Sequence, residues 1–140
     1  MGFADQLDRY SPYMLAVLRI VTALLLMEHG TQKLLGFPPG PSPQPPLFSL
    51  IGPAGVLEMI GGLLILVGFF TRPVAFLLAG QMVFAYFIGH APLGLFPVNN
   101  GGDAAILYCF VFLYLLLAGP GPWSIDGHHA HKRLKFDPVS

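Results

Sequence analysis

Charged side chains are scarce in this chain. Lysine, arginine, aspartate and glutamate make up 10% of its 140 residues, whereas hydrophobic residues make up 54%. A soluble domain has about 25% charged residues, and a small domain leaves much of its surface in water. With a net charge of zero and scattered basic residues, the chain also lacks the electrostatic footprint of a nucleic-acid-binding protein. The composition therefore favours an integral membrane protein with no nucleic acid as a partner.

The chain has a single cysteine, Cys109, in the middle of an apolar run. An intrachain disulfide and a C-x-x-C redox pair are both excluded by this count. If the protein takes part in redox chemistry, it does so without a dithiol of its own. We expect Cys109 to be a small residue of the core or of the lipid-facing surface.

Long apolar stretches fill most of the sequence. A transmembrane helix needs roughly 20 mostly apolar residues to cross ~30 Å of hydrocarbon. Four stretches approach this length, at about residues 13–35, 53–70, 73–90 and 103–118. The sequence therefore predicts an all-α fold in which a single membrane domain, residues 1–140, forms a four-helix transmembrane up-down bundle within the lipid bilayer.

The segments outside these stretches indicate the orientation of the chain. Residues 1–12 are read as a short polar lead, residues 36–52 as a proline-rich outer loop with an extended arm, and residues 123–140 as a flexible basic tail. We expect a tight turn at Thr71-Arg72-Pro73, with Pro73 in the first turn of the next helix. Most basic residues fall on the side of both termini, so the positive-inside rule places the N and C termini in the cytoplasm.

Small residues recur within the second and third spans. They are Gly55, Gly61, Gly62, Ala75, Ala79 and Gly80. In lipid, small side chains let helices approach closely, because apolar burial alone does not drive their association there. We expect these positions to support packing within the chain. The sequence leaves a homo-oligomer as an open alternative.

Polar side chains inside the predicted spans are the candidates for a functional site, because lipid makes each of them energetically costly. Several fall at one depth near the outer face when the spans alternate in direction. The main candidates for a polar or ligand-binding site are Glu28, His29, Lys33, Glu58, His90 and Asp103, and the secondary candidates are Arg19, Gln81, Tyr86 and Asn100. Arg19 lies deeper, toward the cytoplasm, where its long stem allows it to snorkel. This pattern assigns no catalytic residue.

Two interpretations of this polar layer are open. The first is a structural clamp, in which the acids pair with Lys33, His29 or Arg19 and lock the helices together. The second is a binding site for a small polar or amphipathic ligand. The sequence contains no H-x-x-x-H or H-E-x-x-H pair, so no metal or haem is predicted. The histidines near the C terminus are interpreted as part of a flexible basic tail and not as a metal site. A quinone head group fits better, with His or Lys at its carbonyls and aromatic side chains as walls.

Two motifs resemble those of a known family. Leu18-Arg19-Ile20 followed by Glu28-His29-Gly30-Thr31-Gln32-Lys33 is similar to the first-helix signature of the DoxX family. The run from Glu58 to Gly68 with Thr71-Arg72-Pro73, and the later His90 and Asn100-Gly101-Gly102-Asp103, extend the resemblance over about residues 18–121. The family's polar motif positions correspond to Arg19, His29, Lys33, Glu58, Arg72, His90 and Asp103. The proline-rich loop departs from the glycine-rich loop of relatives.

The resemblance implies a small four-helix protein of a bacterial or archaeal inner membrane, described as an oxidoreductase or as a subunit of one. Relatives are associated with quinone-linked membrane complexes. The sequence thus predicts a subunit of a membrane oxidoreductase complex, with a quinone-like or small-molecule site near the outer face and a redox partner protein. The alternative is a non-enzymatic membrane scaffold or small-solute binding protein, whose charged layer only locks the bundle.

Overall fold

The computed structural model describes residues 1–40 and 46–136. All regular structure in these residues is helical, which confirms the predicted all-α fold. The α-helices are α1 (Phe3–Leu35), α2 (Ile51–Val67), α3 (Thr71–Ala85), α4 (Pro97–Asn100), α5 (Asp103–Ala118) and α6 (Ile125–Phe136). A π-helical turn, Tyr86–His90, and a 3-10 turn, Ala91–Leu93, continue α3 without a break.

Two helical stretches are long and apolar enough to cross a membrane. They are α1 and the continuous stretch Thr71–Leu93. The apolar helices α2 and α5 are shorter, with 17 and 16 residues. Because an α-helix rises 1.5 Å per residue, α2 is about 26 Å long. Crossing of the membrane by all four helices stays a prediction at this point.

The four apolar helices α1, α2, α3 and α5, hereafter the four long helices, pack as two antiparallel pairs, α1 with α2 and α3 with α5. In the first pair, Arg19 of α1 contacts the last turn of α2, and Lys33 contacts Glu58 nearer the start of α2. In the second pair, Arg72 at the start of α3 contacts the last turn of α5. The core between the helices contains Ala23, Leu26, Ile65, Ala75, Leu78, Ala79, Met82, Phe112 and Leu115.

The outer surface of these helices is apolar. Phe76, Phe110 and Leu117, for example, are all more than half exposed. A monomeric soluble protein rarely exposes large contiguous apolar patches, whereas a membrane protein presents such side chains to lipid. The arrangement of apolar residues is therefore that of a protein that uses lipid as its solvent.

Close contact between α1 and α2 depends on small residues. A Cβ atom at Gly62 would lie 2.5 Å from Met27 Cγ and 3.3 Å from the Ala23 carbonyl oxygen. Gly55 is likewise close to Lys33 and Leu34 of α1, whereas Gly61 is close to Leu78 of α3, where Ala75 and Ala79 are also buried. Gly80 differs from the expectation, because a Cβ atom there would meet no atom within 4 Å. It faces away from the neighbouring helices.

The structure corrects two expectations near the start of the chain. The expected polar lead, residues 1–12, belongs to the first helix from Phe3 onward. Asp5 favours this early start, because its carboxylate accepts a hydrogen bond from the Gly2 backbone N–H at 2.8 Å in the first turn. The second helix begins at Ile51, two residues earlier than expected. Residues 41–45 of the predicted extended arm lie outside the described residues.

The turn between α2 and α3 lies at residues 68–70, rather than at Thr71-Arg72-Pro73. Gly68 ends α2 with a φ of 66°, in the left-handed region that glycine adopts without steric cost. Phe70 also has a positive φ, 49°. Thr71 then begins α3, so Pro73 does lie in the first turn of a new helix.

The expectation of a flexible tail was wrong for residues 125–136, which form α6. The Ser124 hydroxyl caps this helix by accepting a hydrogen bond from the Gly127 backbone N–H at 3.1 Å. Gly127 and the three histidines that follow have low helix propensity, which conceals the helix in the sequence. Residues 137–140 of the predicted tail lie outside the described residues.

We predict that Gly62→Leu lowers the thermal unfolding temperature of the detergent-solubilised protein, because the new side chain has to push α1 away from α2. Overpacking of this kind costs about 1–3 kcal/mol. The matched control is Gly80→Leu, which adds the same side chain on a face with no neighbour. Equal unfolding temperatures for the two variants would contradict close α1–α2 contact at Gly62.

Candidate functional site

Glu58 lies in the middle of α2 with its side chain only 2% exposed. Its Oε1 atom forms an ion pair with Lys33 Nζ on α1 and accepts a hydrogen bond from Gln81 Nε2 on α3 at 3.1 Å. Gln81 Nε2 also donates to the Ala54 carbonyl oxygen at 3.2 Å. One carboxylate oxygen thus joins three helices.

The second oxygen of Glu58 has no such partner. Among the described residues, Glu58 Oε2 and Gln81 Oε1 are both buried and accept no hydrogen bond. A buried acceptor without a donor costs about 1–3 kcal/mol. The site therefore has two free acceptors and is suited to a molecule that brings donors.

A cavity of about 130 Å³ lies beside Glu58, between the four long helices. Its other polar lining comes from His29, Lys33, His90 and Tyr108, while Leu26, Met82 and small residues of α3 and α5 supply the apolar part. A cavity of roughly 150 Å³ holds one benzene ring in other proteins. The space at Glu58 is therefore comparable in size to a single ring or to a few water molecules.

His90 is placed at this cavity by the π-helical turn at the end of α3. Its Nδ1 atom lies 3.0 Å from the Asn100 carbonyl oxygen. Because a carbonyl oxygen only accepts hydrogen bonds, this contact assigns the proton to Nδ1, and Nε2 of the neutral ring is then an acceptor. In its neutral form, His90 therefore offers a third acceptor to the site.

Asn100 and Tyr86 hold the loop that supports His90. Asn100 is 4% exposed. Its Nδ2 atom donates to the Gly94 carbonyl oxygen at 3.0 Å and to the Tyr86 hydroxyl at 3.3 Å, and its Oδ1 atom accepts from the Gly102 N–H at 2.8 Å. Both residues position the site and do not line the cavity.

An apolar groove of about 420 Å³ adjoins the cavity on the outside of the bundle. Lys33, Ala85 and His90 line both spaces, and Gln81 lines the groove. The apolar walls include Phe84 and Ile88, which are more than half exposed. Ligand sites typically measure about 300–1,000 Å³, and the groove and the cavity together fall within this range. The groove provides an apolar compartment and the cavity a polar one.

The structure brings together only part of the predicted polar layer. Lys33, Glu58, Gln81 and His90 meet as described above. His29 is exposed but lines the cavity, with its ring edge-on to Tyr108 at a centroid distance of 5.9 Å. Glu28 and Asp103 are exposed and do not line the cavity. In the part of the chain that the structure describes, no group of three His, Cys, Asp or Glu side chains is arranged to hold a metal ion.

The expectation that Arg19 snorkels was wrong, because its side chain is completely buried at the opposite end of the bundle. Its guanidinium donates to four carbonyl oxygens, those of Ile65, Leu66, Pro122 and Trp123, at 2.8–3.3 Å. The segment after α5 covers Arg19 and closes the route to water that snorkelling requires. Arg19 therefore caps the carboxyl end of α2 and takes no part in the cavity.

Tyr108 is the main cavity residue that the sequence reasoning left out. It lies five positions after Asp103, or about 7.5 Å along the helix axis, and Glu58 likewise lies five positions after the start of the predicted second span at Pro53. The small residues Ala85, Ala104 and Ala105 also line the cavity. They carry no polar signal, and their role is to leave space.

We predict that Lys33→Met lowers the free energy of unfolding by about 3–5 kcal/mol, because it leaves the buried Glu58 carboxylate without its cation. Denaturant titration in detergent micelles measures this change. Lys33→Met combined with Glu58→Met should recover most of the loss, and Glu28→Gln, at an exposed acid on the same helix, should have little effect. A double variant as unstable as the single one would contradict the pairing.

Comparison with known proteins gives a consistent result. The DoxX family model matches residues 14–91, which include Lys33, Glu58, Gln81 and His90. A Haemophilus influenzae protein described as uncharacterized is 42% identical over 131 residues, covering 87% of this chain and 95% of the relative. The Inner membrane protein YphA of Escherichia coli is 32% identical over 132 residues, covering 82% of this chain and 89% of the relative. No solved structure shows a significant match.

These similarities and the apolar outer surface agree on location, and the protein is an integral protein of the bacterial inner membrane. The family match covers more than half of the chain, and both relatives align along most of their length. The chain belongs to the DoxX family.

Proposed function

We propose that this protein binds a quinone-like molecule, with a ring head group and an apolar tail, as a membrane subunit of an oxidoreductase complex. The observation that carries the proposal is the free, buried Oε2 atom of Glu58. Glu58 lines a ring-sized cavity that adjoins an apolar groove. A molecule with hydroxyl donors on a ring would satisfy this acceptor, and its tail would occupy the groove.

The proposed orientation has four helices that cross the membrane and both termini in the cytoplasm. Arg9, Arg72, Lys132 and Arg133 belong to the end of the bundle that carries α6, and Lys33 belongs to the end with the cavity. This asymmetry agrees with the positive-inside rule. The antiparallel packing of α1 with α2 and of α3 with α5 supports four crossings, and the cavity then lies near the outer face.

The acceptors at the site suit the reduced, hydroquinone form. Its hydroxyl groups would donate to Glu58 Oε2 and His90 Nε2. Oxidation of a hydroquinone releases two protons and two electrons. The protons would pass to these two atoms as general bases, and the electrons to a partner redox protein, because the chain has one cysteine and hence no dithiol.

A structural clamp is the second candidate function, as part of a scaffold or small-solute binding protein. The contact that favours it is the bond of Glu58 Oε1 to both Lys33 and Gln81, which joins α1, α2 and α3. A clamp of this kind stabilises the bundle and needs no ligand. The two functions differ in what they require of the cavity, since a clamp alone needs no space for a ligand.

Photo-crosslinking with an azido-quinol in reconstituted membranes tests the proposal. We expect labelled peptides from α2, α3 and α5, and we expect Ala85→Phe to reduce labelling by about tenfold, the equivalent of 1.4 kcal/mol. Ala85 lines both the cavity and the groove, so a phenyl ring there blocks the site without removing the ion pair.

The matched control is Ala118→Phe, an exposed position at the end of α5 that lines neither space. Labelling that is unchanged in Ala85→Phe would overturn the ligand site. The clamp would be the better account if two results were found together. Labelling of the unchanged protein by the azido-quinol would not exceed the background measured with lipids alone, and Glu58→Gln would lower thermal stability.

A further inference from the structure

The C-terminal helix α6 is attached to the bundle at the turn between α2 and α3. Asp126 makes the attachment, because its Oδ1 and Oδ2 atoms accept hydrogen bonds from the backbone N–H groups of Phe70 at 3.1 Å and Thr71 at 2.9 Å. In return, the Asp126 backbone N–H donates to the Gly68 carbonyl oxygen at 2.9 Å. One residue thus caps α3 and fixes the first turn of α6 against the bundle.

A groove of about 640 Å³ lies between this turn and α6. The rings of Phe69 and Phe70, with centroids 4.3 Å apart, supply its apolar part, and Phe70 is 58% exposed. His129 and Arg133 line it from α6. These two residues are four positions apart and therefore lie on one face of the helix.

The groove presents a cationic side chain that is open to its surroundings. Arg133 and the neighbouring Lys132 are exposed, and no acidic side chain of the described residues forms an ion pair with either. Asp126 also lines the groove, but both of its carboxylate oxygens are already engaged by backbone N–H groups. The groove therefore offers a guanidinium and an imidazole to an anion, next to an apolar surface.

Aromatic side chains indicate that this end of the bundle lies at a membrane interface. Trp123, just before α6, contacts Tyr13 of α1 at a ring-centroid distance of 5.5 Å, and Trp123 is 62% exposed. Exposed tryptophan and tyrosine residues are enriched where lipid head groups meet hydrocarbon. Basic residues at that level attract anionic lipids.

We propose that this groove is a binding site for an anionic phospholipid, with the phosphate at Arg133 and His129 and the upper acyl chain over Phe69 and Phe70. An arginine favours this ligand, because its planar guanidinium forms two parallel hydrogen bonds to phosphate. The apolar floor selects a lipid over a free phosphate ion. The site is at the opposite end of the bundle from Glu58, so it stands or falls independently of the quinone-like ligand.

The single tryptophan of the chain, Trp123, provides the probe. The full-length protein is reconstituted in phosphatidylcholine vesicles that contain a minor fraction of brominated phosphatidylglycerol, or the same fraction of brominated phosphatidylcholine, and quenching of Trp123 fluorescence is measured. We expect the phosphatidylglycerol to quench more strongly, and Arg133→Gln to lower its relative affinity about fivefold.

Two variants and one competitor define the outcome. Arg133→Lys should keep part of the preference, because it retains the charge and loses the paired hydrogen bonds. Arg9→Gln, at an exposed basic residue of α1, should keep all of it. Equal quenching by the two lipids, an equal loss in Arg9→Gln and Arg133→Gln, or displacement by inorganic phosphate alone would each overturn the proposal. Far-ultraviolet circular dichroism verifies that α6 stays folded in each variant.

Discussion

A carboxylate inside an apolar bundle is the constraint on which the other features of this protein depend. An ionised Glu58 is tolerated only because Lys33 and Gln81 reach it from two other helices. Those contacts fix the depth of α1 and α3 relative to α2. They also engage only one of the two carboxylate oxygens, so the group that holds the helices together keeps one acceptor free among the described residues.

The two ends of the bundle satisfy polar groups in different ways. At the α6 end, Arg19 and Arg72 donate to carbonyl oxygens at the carboxyl ends of α2 and α5, and Asp126 accepts from the amino end of α3. These contacts satisfy backbone groups at helix termini with the sign of charge that the helix dipole favours. At the cavity end, the small side chains of Ala85, Ala104 and Ala105 leave space around polar groups. Polar side chains at one end secure helix termini, and those at the other surround a cavity inside the bundle.

Much of this arrangement could be read from the sequence. The long apolar runs predicted the all-α fold. Counting residues along antiparallel helices predicted the grouping of Lys33, Glu58 and His90. Glu28 and Asp103 could not be excluded in this way, because depth does not specify which face of a helix points inward. Arg19 and α6 were misread for a related reason. Both depend on backbone carbonyl and N–H groups of distant segments, and such partners have no signature in the side-chain sequence.

The apolar groove next to Glu58 lies on the outside of the bundle, where the side chains of Phe84 and Ile88 are exposed. A molecule that enters by this route arrives by two-dimensional diffusion within the bilayer. Occupancy of the site would then follow the mole fraction of that molecule among the surrounding lipids. The concentration of the same molecule in water would have no direct bearing on how often the site is filled.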